Sequence, residues 1–455
     1  VSAPAGTTLV LERAFVGGAV RDHVLVEMAD GRFTRVETET GTIPIPAQTD
    51  VGTIPIPAGA HPGTILVPGL TIPGLANCHS HAFHRALRGR TERGSGSFWT
   101  WRDQMYAVAE RLDPDTYLAL ARATYREMVA TGITGVGEFH YLHHQPDGTP
   151  YADPNAMGEA LVAAAQEAGL RIALLDTCYL SAGFGQSPEG VQWRYSDGDA
   201  GAWAERVARL TGADDVVVGA AIHSVRAVPR DQLATVASLD GPLHVHLSEQ
   251  VKENEDCLAA YGVTPTALLD ESGALTARTS VVHATHLTDD DVRRLGDARS
   301  YACFCPTTER DLGDGIGPSR ALHAAGAGLT LGSDSHAVID LFEEMRAVEL
   351  DERLATRRRG HWTPEELLEA ATAGGHASLG FPDAGSIEVG QRADLVTVAL
   401  DSVRTAGTGA GPETVVFAAS GADVRQVIVG GEVVFTPDDL PGIAAELEQA
   451  IGALL

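Results

Sequence analysis

Two histidines close the run Gly74-Leu75-Ala76-Asn77-Cys78-His79-Ser80-His81. In an extended strand residues two apart point the same way, so His79 and His81 share a face. Two imidazoles at a strand's end can hold a borderline-soft divalent cation, which lowers the pKa of water towards about 7. A single His-x-His carries little weight. The chain, however, repeats the theme. Pro242-Leu243-His244-Val245-His246-Leu247-Ser248-Glu249 ends in a second pair, with a carboxylate three positions past His246. Further apolar runs break at His283, after Val281-Val282, and at Asp334, after Leu331-Gly332-Ser333. One histidine at a strand end is ordinarily a hydrogen-bonded core residue. Burying unpaired polar groups costs roughly 1–3 kcal/mol each, so a concentration of such breaks calls for a common partner.

The elements that would position these residues begin near residue 72, where apolar strands alternate with alanine-rich helical patterns. Candidate strands end near His79, His140, Cys178, His223, Leu247, His283, Cys305 and Asp334, with helical patterns such as Thr116 to Ala130, Ala156 to Ala168 and Pro229 to Ser238 between them. Alternation implies parallel pairing, and eight units are the number that closes a (β/α)8 barrel, whose active site lies at the C-terminal ends of its strands. A doubly wound open sheet is the runner-up, weakened because no Gly-x-Gly-x-x-Gly follows the first barrel strand. Before this region the chain reads as short strands and hairpin turns, and strand texture returns after about residue 384 before a closing helix over Asp439 to Leu454. Neither end makes a good core alone. The expected organisation is therefore a barrel over residues 72–383 and a small β-sandwich domain built from 1–71 and 384–455, the latter including that helix. The near-duplicate Gly41 to Ala47 and Gly52 to Ala58 is too proline-rich for a central strand and reads as a duplicated surface loop.

Composition narrows the function. A formal net charge of -28 repels nucleic acids and anionic membranes alike, and an acidic substrate would need local arginines in the cleft. Lys252 is the sole lysine, which leaves almost no room for Schiff-base chemistry. The 5 cysteines are an odd, scattered set rather than a disulfide framework. Without a signal-peptide pattern or a bilayer-length apolar run, the expected location is cytoplasmic.

Taken together, these strand ends resemble the amidohydrolase superfamily of metal-dependent hydrolases. His79 and His81 match its first-strand His-x-His, His246 its fifth-strand ligand, His283 its sixth-strand histidine and Asp334 its eighth-strand aspartate. Gly390-Gln391-Arg392-Ala393-Asp394-Leu395 matches a flanking segment. Two-metal members are usually bridged by a carboxylated fourth-strand lysine, whereas this strand ends Ala220-Ala221-Ile222-His223-Ser224. The resemblance thus implies one divalent ion on His79, His81, His246 and Asp334, zinc first and iron second. It implies Glu249 as proton shuttle, His283 as the group that polarises substrate or steadies developing charge, and Asp334 as a second proton acceptor. Glu138 reads as a hydrogen-bonded carboxylate rather than a ligand to a second ion, and His244 as packing.

Within the superfamily, His79 to Leu87, Phe98 to Arg102, Glu138 to His144 and His223 to Ala227 are similar to the formimidoylglutamate deiminases. That family hydrolyses N-formimidoyl-L-glutamate to N-formyl-L-glutamate and ammonia in histidine degradation. Its substrate carries two carboxylates, and a guanidinium fork just past the fourth strand suits them, which makes Arg226 the first candidate clamp. Tyr141 and His223 are candidate donors, as is His84, which stands where the family carries glutamine. Phe98, Trp99 and Trp101 suggest a lid or a core cluster. Rival readings are a deaminase of a guanine, adenosine or triazine-like ring, and a barrel that binds ligand without turnover. The resemblance also implies a homodimer.

Overall fold

The computed structural model describes residues 7–38, 43–44, 55–56, 64–91 and 98–455. Parallel strands Leu75–Ser80, Ile133–His140, Arg171–Cys178, Val216–Ile222, Leu243–Leu247, Thr279–His283, Tyr301–Phe304 and Gly328–Leu331 each pair with the next in chain order. The eighth returns to the first through a bridge between Ser80 and Asp334. There Asp334 N–H donates to His79 O at 3.0 Å, and His81 N–H donates to Asp334 O at 3.3 Å. Glycine is required beside this seam, because a Cβ on Gly332 would lie 2.7 Å from His79 Cβ. The result is a nearly closed (β/α)8 barrel, and the open-sheet alternative does not describe it.

Helices cover the outside of the barrel, so its strands are buried on both faces and read as continuous apolar runs. Pro114–Ala130 shows how one such helix is specified. Asp113 and Thr116 form a reciprocal cap at its start, Pro114 fits the first turn, and Tyr117, Leu120, Ala121, Thr124, Tyr125 and Met128 recur at helical spacing on its buried face. Expected strand ends lie within a few residues of those observed. The helical pattern over Pro229 to Ser238 contracts to Leu233–Ala237.

Strands from both ends of the chain meet in one seven-stranded, mostly antiparallel sheet. Thr7–Val16, Ala19–Ala29, Arg32–Glu37 and Ile65–Pro73 join Leu395–Val398, Val424–Val429 and Glu432–Phe435. This sheet has its own apolar cluster, including Leu11, Val26, Phe33, Leu395 and Ile428. The last helix, Leu440–Leu454, leaves the sheet and packs along Pro114–Ala130, tied by an Arg126–Glu446 ion pair. Of the duplicated segment, Ile43–Pro44 pairs with Pro55–Ile56, and the rest lies outside the described residues. No helix among the described residues is long and apolar enough to cross a membrane.

Candidate active site

The C-terminal mouth of the barrel gathers the expected residues. His79 Nε2 lies 3.1 Å from His246 Nε2 and 3.4 Å from Asp334 Oδ1, and His81 Nε2 lies 3.4 Å from the same oxygen. Four donors on a tetrahedral ion with bonds of about 2.1 Å would be about 3.4 Å apart, so the spacing fits zinc-like coordination. Tautomers fit as well. His81 Nδ1 donates to Phe139 O at 3.0 Å and His246 Nδ1 donates to His223 O at 2.9 Å, which leaves a lone pair on each inward Nε2. Burial, joined by the neighbouring histidines, pushes His81 down to about 3 and His246 well below the ordinary range, so both rings stay neutral. Burial would raise the Asp334 carboxyl, but its contact with His79 and the positive His283 ring outweigh it and hold it well below the usual value.

His283 sits beside this nest without duplicating its role. Its Nε2 lies 3.7 Å from Asp334 Oδ2 and 3.9 Å from Glu249 Oε1, while Nδ1 faces Glu309 Oε1 at 3.4 Å. Burial lowers its pKa, yet Glu249, Glu309 and Asp334 together raise it well above the ordinary value. A ring held as imidazolium donates hydrogen bonds and is a poor metal ligand. The backbone here is unusual: Ser248, His283, Ala284, Asp334 and His336 all have φ between 41° and 71°, a left-handed region that residues with a Cβ seldom occupy. Such conformations cluster where a scaffold forces side chains inward.

Behind the first-strand motif, Glu138 accepts Ser80 Oγ–H at 2.6 Å and Ala82 N–H at 2.7 Å. It is a hydrogen-bonded brace, and burial pushes it up to about 7. Ser80 Oγ also lies 3.2 Å from His336 Nε2, whose Nδ1 meets Ser333 Oγ at 3.0 Å, so the two seam strands are tied by side chains as well. His244 is fully buried, and burial with nearby His79 pushes it down to about 3.

In front of the nest opens a cleft lined by His81, His84, Tyr141, His223, Arg226, His246, Glu249, His283 and Asp334. Every residue expected at the site therefore borders it, except the deeper His79, which reaches the nest from behind. His84 Nε2 pairs with Tyr141 Oη at 3.0 Å, and its buried Nδ1 has no hydrogen-bond partner among the described residues. Arg226 faces buried Glu253 at 3.9 Å. Arg85 and Arg88 point elsewhere, to Glu127 at 2.6 and 2.5 Å.

The cleft also contains residues that the sequence reading did not assign. Arg102, Met105 and Tyr106 come from helix Phe98–Ala109, beside the expected lid or core residue Trp101, and Gln192 and Tyr195 from the 3-10 turn Gly190–Tyr195. Arg102 lies over the Tyr106 ring at 5.4 Å. Trp101 thus reaches the cleft wall, whereas the side chains of Phe98 and Trp99 fall outside the described residues. An arginine directly after Trp101 in so acidic a chain was the available signal. Buried Arg194 holds these pieces together. Its guanidinium donates to His144 O at 2.9 Å, Leu112 O at 2.7 Å and Ala109 O, and its own carbonyl accepts His143 N–H at 3.0 Å and His144 N–H at 2.9 Å.

A second buried group, His140, His143 and Asp176, has ligand-type spacing. Its carboxylate is already satisfied by two 2.9 Å bonds from Arg206 and one of 2.9 Å from Trp203 Nε1, which makes it a structural network.

A (β/α)8 barrel whose mouth gathers three histidines and an aspartate at coordination spacing, with a further carboxylate and histidine beside them, is the architecture of a metal-assisted hydrolase. The amidohydrolase family model matches residues 70–434, and the chain belongs to that family. Members are typically dependent on a divalent metal ion. Formimidoylglutamate deiminase of Pseudomonas aeruginosa is 38% identical over 378 residues, 79% of this chain and 83% of that protein. The 8-oxoguanine deaminase of the same organism is 29% identical over 378 residues, 80% and 81% of the two chains. Among solved structures, an amidohydrolase from Brucella melitensis superposes with a TM-score of 0.87 at 32% identity, covering 98% of this chain and 99% of that one. The protein is a hydrolase of C–N bonds, an amidohydrolase-type deaminase.

Proposed function

We propose that the enzyme hydrolyses N-formimidoyl-L-glutamate to N-formyl-L-glutamate and ammonia, a step in histidine degradation. One observation carries the reading: the cleft has the nest, Glu249 and His283 in its floor, and Arg226 and Arg102 in its wall. A planar amidine would lie over the floor while guanidinium forks take the substrate's carboxylates, which an acidic chain would otherwise repel.

His79, His81, His246 and Asp334 would hold one divalent ion, zinc by preference, whose contribution is to acidify water at neutral pH. Glu249 takes a proton from the attacking water and returns it to the imine nitrogen. His283 donates to the substrate as charge develops, and Asp334 accepts the second proton. That second proton passes to the same nitrogen as the C–N bond breaks, so that ammonia departs, the N-formyl group remains and Asp334 is again a carboxylate. Tyr141, His223 and His84 orient the substrate. Burial pushes the Tyr141 phenol well up, so it remains a hydrogen-bond donor.

The similarity to formimidoylglutamate deiminase supports this substrate, and the same resemblance supports a homodimer, which light scattering would check. We take 72–383 as the catalytic unit, with 1–71 and 384–455 forming the small β domain and closing helix. Ammonia release from formimidoylglutamate, measured beside a panel of purines and nucleosides, tests the function. Turnover is expected on the amidine alone, and activity confined to purines would reject it.

A further inference from the structure

Glu309 has no part in the scheme above, yet it is 5% exposed and its carboxylate lies against His283. It belongs to helix Pro306–Leu312, which follows the seventh barrel strand. Two anchors fix its place. Oε1 accepts Cys305 N–H at 2.9 Å, and the helix start is pinned by Glu344, which accepts Thr307 N–H at 3.0 Å and Thr307 Oγ1–H at 2.5 Å. His283, on the last residue of the sixth strand, presents Nδ1 to Glu309 Oε1 at 3.4 Å and Nε2 to the reaction side.

We propose that Glu309 is the positioning residue of His283, holding the ring with Nδ1 on the outer side so that Nε2 faces the substrate. A carboxylate can only accept, so Nδ1 must donate, and a ring flip would forfeit that bond. Among the described residues the other carboxylates that reach this ring, Glu249 at 3.9 Å and Asp334 at 3.7 Å, are both on the Nε2 side, and the His246 ring stacked on its face does not select which edge points outward. The inference rests on the proposed role of His283 at the reacting carbon. A purely structural role for Glu309, as acceptor for Cys305 N–H, predicts different results.

The test is a double-mutant cycle on the metal-loaded enzyme with N-formimidoyl-L-glutamate. Glu309→Ala should lower kcat about 10- to 100-fold, the usual range for partners of an active group, with KM changed less than about 2-fold. Glu309→Gln, whose amide oxygen can accept the same proton, should recover much of that loss. In a His283→Ala background Glu309→Ala should cost nothing further, because the ring it orients is gone. Equal losses in both backgrounds, or a kcat for Glu309→Ala within about 2-fold of wild type, overturn the proposal. A second readout needs neither turnover nor metal. In 15N-histidine NMR of the metal-free protein, an Nδ1–H signal that vanishes in His283→Ala should also vanish in Glu309→Ala, and its persistence there overturns the proposal. If wild type is inert on formimidoylglutamate while this signal behaves as expected, the substrate reading fails and Glu309 keeps its role.

Discussion

The two ends of the barrel both bury charge, and they treat it in opposite ways. At the N-terminal end, Arg171 meets Asp394 and also Asp215 at 2.9 Å, Arg392 meets Asp383 at 3.0 Å, Asp214 at 3.1 Å and Asp215 at 3.2 Å, and Arg32 meets Asp383 at 2.7 Å. Opposite charges alternate there, which joins the terminal sheet to the barrel and explains the Gly390-Gln391-Arg392-Ala393-Asp394-Leu395 motif. At the C-terminal end, histidines crowd histidines and carboxylates crowd carboxylates, on backbone bent into left-handed conformations. One end is satisfied by its own residues. The other requires something from outside to be satisfied, and that is the signature of a site.

Predictions that sharpen this contrast run from large to small. Glu249→Gln should keep the metal while kcat falls about 10²- to 10⁴-fold, the range for losing a general acid–base group, and full activity would remove the shuttle. Asp394→Ala should act on stability instead. Losing this buried partner leaves Arg171 only the exposed Asp215 and costs about 3 kcal/mol, the lower end for a broken buried pair, in denaturant titrations, with kcat and KM unchanged in the folded fraction. Arg226→Ala should raise KM about 10- to 100-fold through loss of a charged hydrogen bond of roughly 1.5–3 kcal/mol, and an unchanged KM would move the clamp to Arg102.

A last contrast is a pair of pH slopes. Glu138, buried behind the mouth, has its carboxyl raised from 4.5 to about 7, so the folded state holds a proton that the unfolded state releases. Its contribution to stability is present below pH 4.5 and is lost as pH rises towards about 7. Asp383 at the other end is opposite in sign. Partial burial raises it, but hydrogen bonds from Arg32 and Arg392 prevail and lower it, so its contribution holds above its unfolded value of 3.8 and is lost on acidification. Denaturation midpoints against pH should lose the first slope in Glu138→Gln and the second in Asp383→Asn. If both variants lose the same limb, the contrast fails.

The fold was legible because barrel strands are buried on both sides, so each reads as an apolar run that stops where the chain reaches the mouth. His79, His81, His246, His283 and Asp334 were visible for that reason: period-2 spacing and abrupt polarity need only local sequence. Arg102, Gln192 and Tyr195 were not assigned, since they reach the cleft from a helix and a turn whose placement depends on Arg194 bridging segments distant in sequence. Glu309 was hidden differently. In Cys305-Pro306-Thr307-Thr308-Glu309 it reads as an ordinary first-turn acid of a helix, and only tertiary packing brings it to His283.

One detail of the seam changes how substitutions here should be read. The hydrogen bonds that fasten the eighth strand to the first are made by the backbone of His79, His81 and Asp334, the same residues whose side chains form the nest. A side-chain replacement leaves those amides and carbonyls in place, but Asp334 holds a φ of 41°, and a residue that adopts that angle poorly would pull on the clasp of the hoop as well as empty the nest. Alanine at Asp334 would mix mechanical slackening with chemical loss, whereas Asp334→Asn, which keeps the shape and tolerates the angle, has defects that can be assigned to chemistry.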